Sequence, residues 1–262
     1  MAFLGDLDRA ALQWVNGFVG VHPGMDNAVR FVAEWNFGRS FWLGCFLIWA
    51  WFRLTHRDTR LKIVSGMTGL LIATVISRTV QIMVPVHSRP FNFIAELSLH
   101  VPRHLDTHWG AVSSFPSDTA TLYFALAAII FSVSRAWGVA AFAWVALVIA
   151  LPRVYILYHW PSDILGGLIL GAGGVFMAQR LRDTVPQFSA IITIEKLEPG
   201  LFYPVMFVLL FQIIDSFNAV ELTIGRVAAL ATGAHTHASV EAATERQPQP
   251  WEEKLSKVAH QQ

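Results

Sequence analysis

Charge is scarce in these 262 residues: only 14% are Asp, Glu, Lys or Arg, where an average soluble domain has about a quarter. Hydrophobic residues make up 54%, so water is not this chain's main solvent. Cysteine occurs once, at Cys45 inside an apolar run, which excludes an internal disulfide and a cysteine metal cluster. No basic stripe with interleaved aromatics is present, so no nucleic-acid partner is expected. Residues 1–20 contain Asp6, Asp8 and Arg9 and lack a basic start followed by a clean apolar block, so no removable signal peptide is expected either. Internal repeats are absent.

What the chain does have is long apolar runs, several near the roughly 20 residues a helix needs to cross a hydrocarbon core. They fall at about 38–54, 62–84, 118–134, 137–152, 160–179 and 201–217. The segment before them mixes polar and apolar residues at helical spacing and is broken at His22-Pro23-Gly24, which predicts two short amphipathic helices in the membrane interface. The expected fold is therefore all-α: a polytopic membrane bundle of about six spans with N-terminal interfacial helices. The expected organisation is 1–36 interfacial helices, 37–180 transmembrane core, 181–217 connector and a further span, and 218–262 a polar tail. Arg53, Arg57, Arg60 and Lys62 crowd one short turn, which predicts that it faces the cytoplasm. Counting spans from there puts the 85–117 loop and the 152–160 turn together on the outer face.

Ionisable residues at membrane depth are costly unless they face a wet cavity or one another, so each is a candidate site residue. In "LPRVYILYHWPSDILGG", His159 and Asp163 are four apart at a helix start, hence on one face. Asp163 can then hold one imidazole nitrogen and leave the other free to attack. Arg153 precedes them across a short turn. "HSRPF" supplies Arg89. "SSFPSDTATLYFALA" supplies Ser117 as an N-cap, whose helix start offers N–H groups and a positive dipole end. Two guanidinium forks, a helix N-terminus and a histidine suit a tetrahedral anion, and arginine matches phosphate oxygens pairwise.

This order, Arg-Pro, then Pro-Ser opening a helix, then Arg-x5-His-x3-Asp, resembles the type 2 phosphatidic acid phosphatase superfamily of membrane lipid phosphatases over roughly residues 36–180. The resemblance implies that His159 is the nucleophile and forms a phosphohistidine, that Asp163 orients it, and that Arg89, Arg153 and Ser117 hold the phosphate. It also implies a lipid phosphate substrate, no metal or other cofactor, and an integral protein of the bacterial inner membrane with its site facing the periplasm. "SFPSDTA" looks like the variant of bacterial undecaprenyl-diphosphate phosphatases, which points to a polyprenyl phosphate.

Two positions depart from the family pattern. Ile82 stands where the first motif has lysine, and Thr119 where the second has the histidine that protonates the leaving group. Arg78, one turn from Ile82, is the expected replacement cation. His100, His104, His108 and Asp118 are the expected replacement proton donors, with Asp118 and Thr119 also at the phosphate. The three histidines at spacing four also read as metal ligands on a helix, but Pro102 argues against a regular helix through them. Transfer of the phosphoryl group to another hydroxyl, and binding of a lipid phosphate without turnover, remain the rival functions. Nothing in the sequence sets an oligomeric state.

Overall fold

The computed structural model describes residues 2–83, 87–102 and 113–214. The chain divides into two units, Met1–Ser216 and Phe217–Gln262; the second lies outside the described residues, as do His104 and His108. Among the described residues every regular element is helical: α1 (Ala2–Asn16), α2 (Pro23–Glu34), α3 (Asn36–Arg53), α4 (Arg57–Met83), α5 (Asp118–Val133), α6 (Arg135–Trp144), α7 (Leu151–Tyr155), α8 (Pro161–Arg180), α9 (Pro186–Leu197) and α10 (Pro199–Ile214). A π-helical turn, Val145–Ala150, joins α6 to α7 and a 3₁₀ turn, Pro90–Phe93, follows α4.

Among the described residues three continuous helical runs are long and apolar enough to cross a membrane: Arg57–Met83, Arg135–Tyr155 and Pro161–Arg180. At 1.5 Å per residue the 27 residues of α4 extend about 40 Å, more than a hydrocarbon core about 30 Å thick. Helices α5 and α10 are shorter apolar helices at two further predicted spans, and α3 covers a third. One boundary differs from expectation. The run through α7 continues to Tyr155 and carries Arg153 on its last turn rather than in a loop, because the π turn lets the helix continue past Pro152. The expected connector after 180 contains α9, which Pro186 opens at a position where its missing N–H costs nothing.

The centre is a three-helix packing of α4, α5 and α8, made close by glycine. A Cβ on Gly167 would lie 2.7 Å from the Ser117 carbonyl oxygen, and one on Gly171 2.2 Å from the Thr121 carbonyl oxygen. Lipid tails are as apolar as the side chains, so such backbone approach, rather than water exclusion, holds helices together in a bilayer. It also brings the start of α5 against the start of α8. Over that end lies an apolar cluster that includes Leu12 and Val15 of α1, Phe91, Leu99, Leu157 and Trp160. Asn16 of α1 clamps the backbone of His100 with two hydrogen bonds, 2.7 and 2.8 Å.

Candidate active site

Between Arg153 and His159 the chain leaves α7 through Leu157, a fully buried residue in the left-handed region with φ 62°. That conformation costs a non-glycine residue roughly 1–2 kcal/mol. It is held by the neighbouring backbone: the Leu157 N–H donates to the Val154 carbonyl at 3.0 Å, and its own carbonyl accepts from Phe91 N–H at 3.2 Å. The reversal delivers His159 into the protein, almost completely buried.

His159 Nδ1 lies 3.1 Å from the Ser114 carbonyl oxygen and 3.4 Å from Asp163 Oδ2. A carbonyl can only accept, so Nδ1 carries the proton and Nε2 the lone pair. The sequence reading gives this task to Asp163 alone; in the structure the shorter contact is to a backbone carbonyl, an acceptor that no residue type announces. Asp163, fully buried, joins several segments. Its Oδ2 accepts from Trp160 N–H at 2.8 Å, its carbonyl from Ser117 N–H at 3.1 Å, and its Oδ1 faces His87 Nδ1 at 3.2 Å.

Both motif arginines meet Tyr158, the residue before His159. Buried Arg89 donates from Nη1 to the Tyr158 carbonyl at 3.0 Å, and Arg153 places its guanidinium carbon 5.9 Å from the Tyr158 ring centre. Burial draws the Arg89 pKa below its ordinary value, while Asp118 and Asp163 act to keep it charged. Ser117 caps α5, its hydroxyl oxygen accepting from Ala120 N–H at 3.3 Å. The expected anion site at this helix start holds a carboxylate of the protein itself: Asp118 Oδ1 accepts from Thr119 N–H at 2.7 Å, and its Oδ2 pairs with Arg78 at 3.0 Å. Arg78 also donates to Gln81 at 3.1 Å. Asp118 interacts electrostatically with Arg78, His159 and Arg153 together, so these four polar residues, predicted from distant segments, share one locality. Ile82 is 77% exposed and faces away from it.

The sequence reading misses His87. Its backbone N–H donates to Ser113 Oγ at 3.1 Å, and its carbonyl accepts from both the N–H and the hydroxyl of Ser114, each at 2.9 Å. The Ser114 hydroxyl thus spends its proton on that carbonyl, and its oxygen, 3.0 Å from His87 Nδ1, acts as acceptor. A signal existed. In extended backbone, residues i and i+2 share a side, and His87 stands two before Arg89, itself extended. A second polar contact ties α1 to the site: Asp8 accepts from the backbone N–H of Ser162 at 2.8 Å and from its hydroxyl. Asp8, Arg9, His87, Glu96 and Trp160 line a cavity of about 340 Å³ beside it.

Within this arrangement, residues 86–185 match the model of the PAP2 superfamily. The relatives are bacterial and archaeal. Over 133 residues, 51% of this chain and 62% of the relative, the chain is 33% identical to YbjG of Escherichia coli (strain K12), provisionally named an undecaprenyl-diphosphatase. It is 28% identical over 138 residues, 51% of this chain and 61% of the relative, to an undecaprenyl-diphosphatase of Sulfolobus acidocaldarius. It is 25% identical over 190 residues, 71% of this chain and 84% of the relative, to the bacitracin transport permease protein BcrC of Bacillus licheniformis. The chain therefore spans less than two thirds of the two relatives named for diphosphatase activity. No solved structure matches it significantly.

Proposed function

We propose that this chain is an integral membrane lipid phosphatase that removes the terminal phosphate of a lipid phosphate or diphosphate, with a polyprenyl diphosphate the favoured substrate. His159 Nε2 attacks phosphorus, and the bond to the leaving oxygen breaks; water then hydrolyses the phosphohistidine. Arg89 and Arg153 stabilise charge on the equatorial oxygens, and the Ser114 carbonyl with Asp163 holds the imidazole in its attacking tautomer. The domain match and the names of the relatives support the reaction class. The observation that carries the reading is a buried histidine whose inner nitrogen is committed to acceptors, beside two arginines. The basic turn at Arg53–Lys62 supports a site on the outer face of the membrane.

Purified protein in detergent should release phosphate from polyprenyl diphosphate and from phosphatidate, and His159→Ala should lower the rate at least about 10,000-fold, as removal of a nucleophile does. Equal rates for the two proteins sink the proposal.

A further inference from the structure

The resemblance leaves one task unfilled, because Thr119 cannot protonate a leaving group near neutral pH. Among the described residues a second imidazole does reach the nucleophile's carboxylate. His87 and His159 each turn Nδ1 toward Asp163, one to Oδ1 at 3.2 Å and the other to Oδ2 at 3.4 Å. Both imidazoles are thus held at one carboxylate through Nδ1. Their surroundings differ. His159 is buried, whereas the His87 side chain is 47% exposed and borders the cavity. The acceptors at His87 Nδ1, Ser114 Oγ and Asp163 Oδ1, hold a proton on that nitrogen and leave Nε2 as the exchangeable position.

Resting on the phosphatase reading, we propose that His87 is the proton donor to the leaving group, filling the role that position 119 has lost. In the first step His159 Nε2 forms a bond to phosphorus, the bond from phosphorus to the leaving oxygen breaks, and that oxygen takes the Nε2 proton of His87, which becomes neutral. In the second step His87 Nε2 accepts a proton from the attacking water as its oxygen bonds phosphorus. The bond from phosphorus to His159 breaks, and inorganic phosphate leaves with both histidines restored. The charged groups around His87 suit a donor: Asp163 of α8 and Asp8 of α1 raise its pKa above the ordinary histidine value, the hydrogen bond to Asp163 contributing most and burial opposing it. Arg9 and Glu96 also line the shared cavity.

His87→Asn separates donation from positioning, since its amide can still bond Asp163 and Ser114 where Nδ1 did but nothing replaces Nε2. Turnover of phosphatidate, whose leaving group is an alkoxide, should fall about 100-fold or more. Turnover of p-nitrophenyl phosphate, whose leaving group needs no proton, should fall less than about 5-fold if acid help is all that is lost. The acid form is required, so wild-type phosphatidate turnover should decline as pH rises through the raised His87 pKa, and the variant should lose that limb. Equal losses on both substrates, no loss on either, or the selective loss appearing in His108→Ala instead, overturns the assignment. If His159→Ala keeps full activity, the phosphatase reading itself has failed; a dead His159→Ala beside an unimpaired His87→Asn refutes only the present inference. Should His87→Asn not fold, wild-type protein with a series of aryl phosphates decides: sensitivity to leaving-group basicity should steepen above the His87 pKa, and constant sensitivity across pH overturns the proposal.

Discussion

Arginines gather at both ends of the packed pair α4 and α8, and the two ends use them differently. At the end where α4 begins and α8 stops, Arg60 pairs with Glu195 at 2.6 Å, Lys62 and Arg182 share Asp58 at 2.8 and 2.7 Å, and Arg57 donates to Ser189 at 2.9 Å. These are cations matched to carboxylates and a hydroxyl. At the other end Asp163 faces two imidazoles, while Arg89 and Arg153 gather at Tyr158 beside His159. Composition alone does not separate an anchor from a site, since both ends are Arg-rich. The difference lies in what the carboxylates bind: guanidinium and ammonium groups at one end, and at the other one guanidinium at Asp118 but two imidazoles at Asp163.

The largest effect outside the histidines should come from Arg153, whose guanidinium lies over the Tyr158 ring next to His159. Arg153→Ala should lower phosphate release about 100- to 1,000-fold, comparable to losing one preorganised donor to a developing oxyanion. Arg153→Lys should recover little of it, because a point charge does not reproduce a planar pair of donors. Arg57→Ala at the opposite end should leave release unchanged. If lysine restores Arg153 fully, or if Arg57→Ala costs as much, the contrast between the ends collapses.

Between the ends, the glycine seam should matter for stability more than for chemistry. Gly171→Ala drives a methyl into the Thr121 backbone, which cannot yield as a flexible side chain would, and should destabilise the protein by about 1–3 kcal/mol. Gly173, two residues on, has nothing within 4 Å of its would-be Cβ. Gly173→Ala should be neutral or gain up to about 1 kcal/mol from helix propensity. Unfolding in detergent by denaturant measures both, and equal behaviour of the pair refutes the close-approach account.

Much of this molecule was legible in the sequence because two strong signals coincide with physics. Apolar length marked α4, the run through α7 and α8 as helices long enough to cross a hydrocarbon core, and α5 and α10 as shorter apolar helices. Local spacing marked His159 with Asp163 and placed Arg153 nearby. What stayed hidden depends on chain segments far apart: His87 meets Asp163 across 76 positions and Ser114 across 27. The Ser114 carbonyl at His159 is backbone, which every residue owns, so no pattern of residue types discloses it. Asp118 was visible, but its pairing with Arg78 was not, because capping and ion-pair partners at a helix start compete with a ligand only once the helices are packed.

The smallest expected effect tests the structural end of the comparison. Asp58 and Lys62 are four apart with the acid N-terminal, the favoured order on a helix, and their side chains are 55% and 30% exposed. Solvent screens such a pair, and Arg182 shares the same carboxylate, so a double-mutant cycle of Asp58→Asn with Lys62→Met should give a coupling of about 0.2–1 kcal/mol that shrinks with added salt. Phosphate release should stay within about twofold of wild type if, like most exposed ion pairs, this one contributes only marginally. A larger coupling with loss of turnover would mean that the far end communicates with His159 through α4 or α8. The two ends would then be parts of one device rather than an anchor and a site.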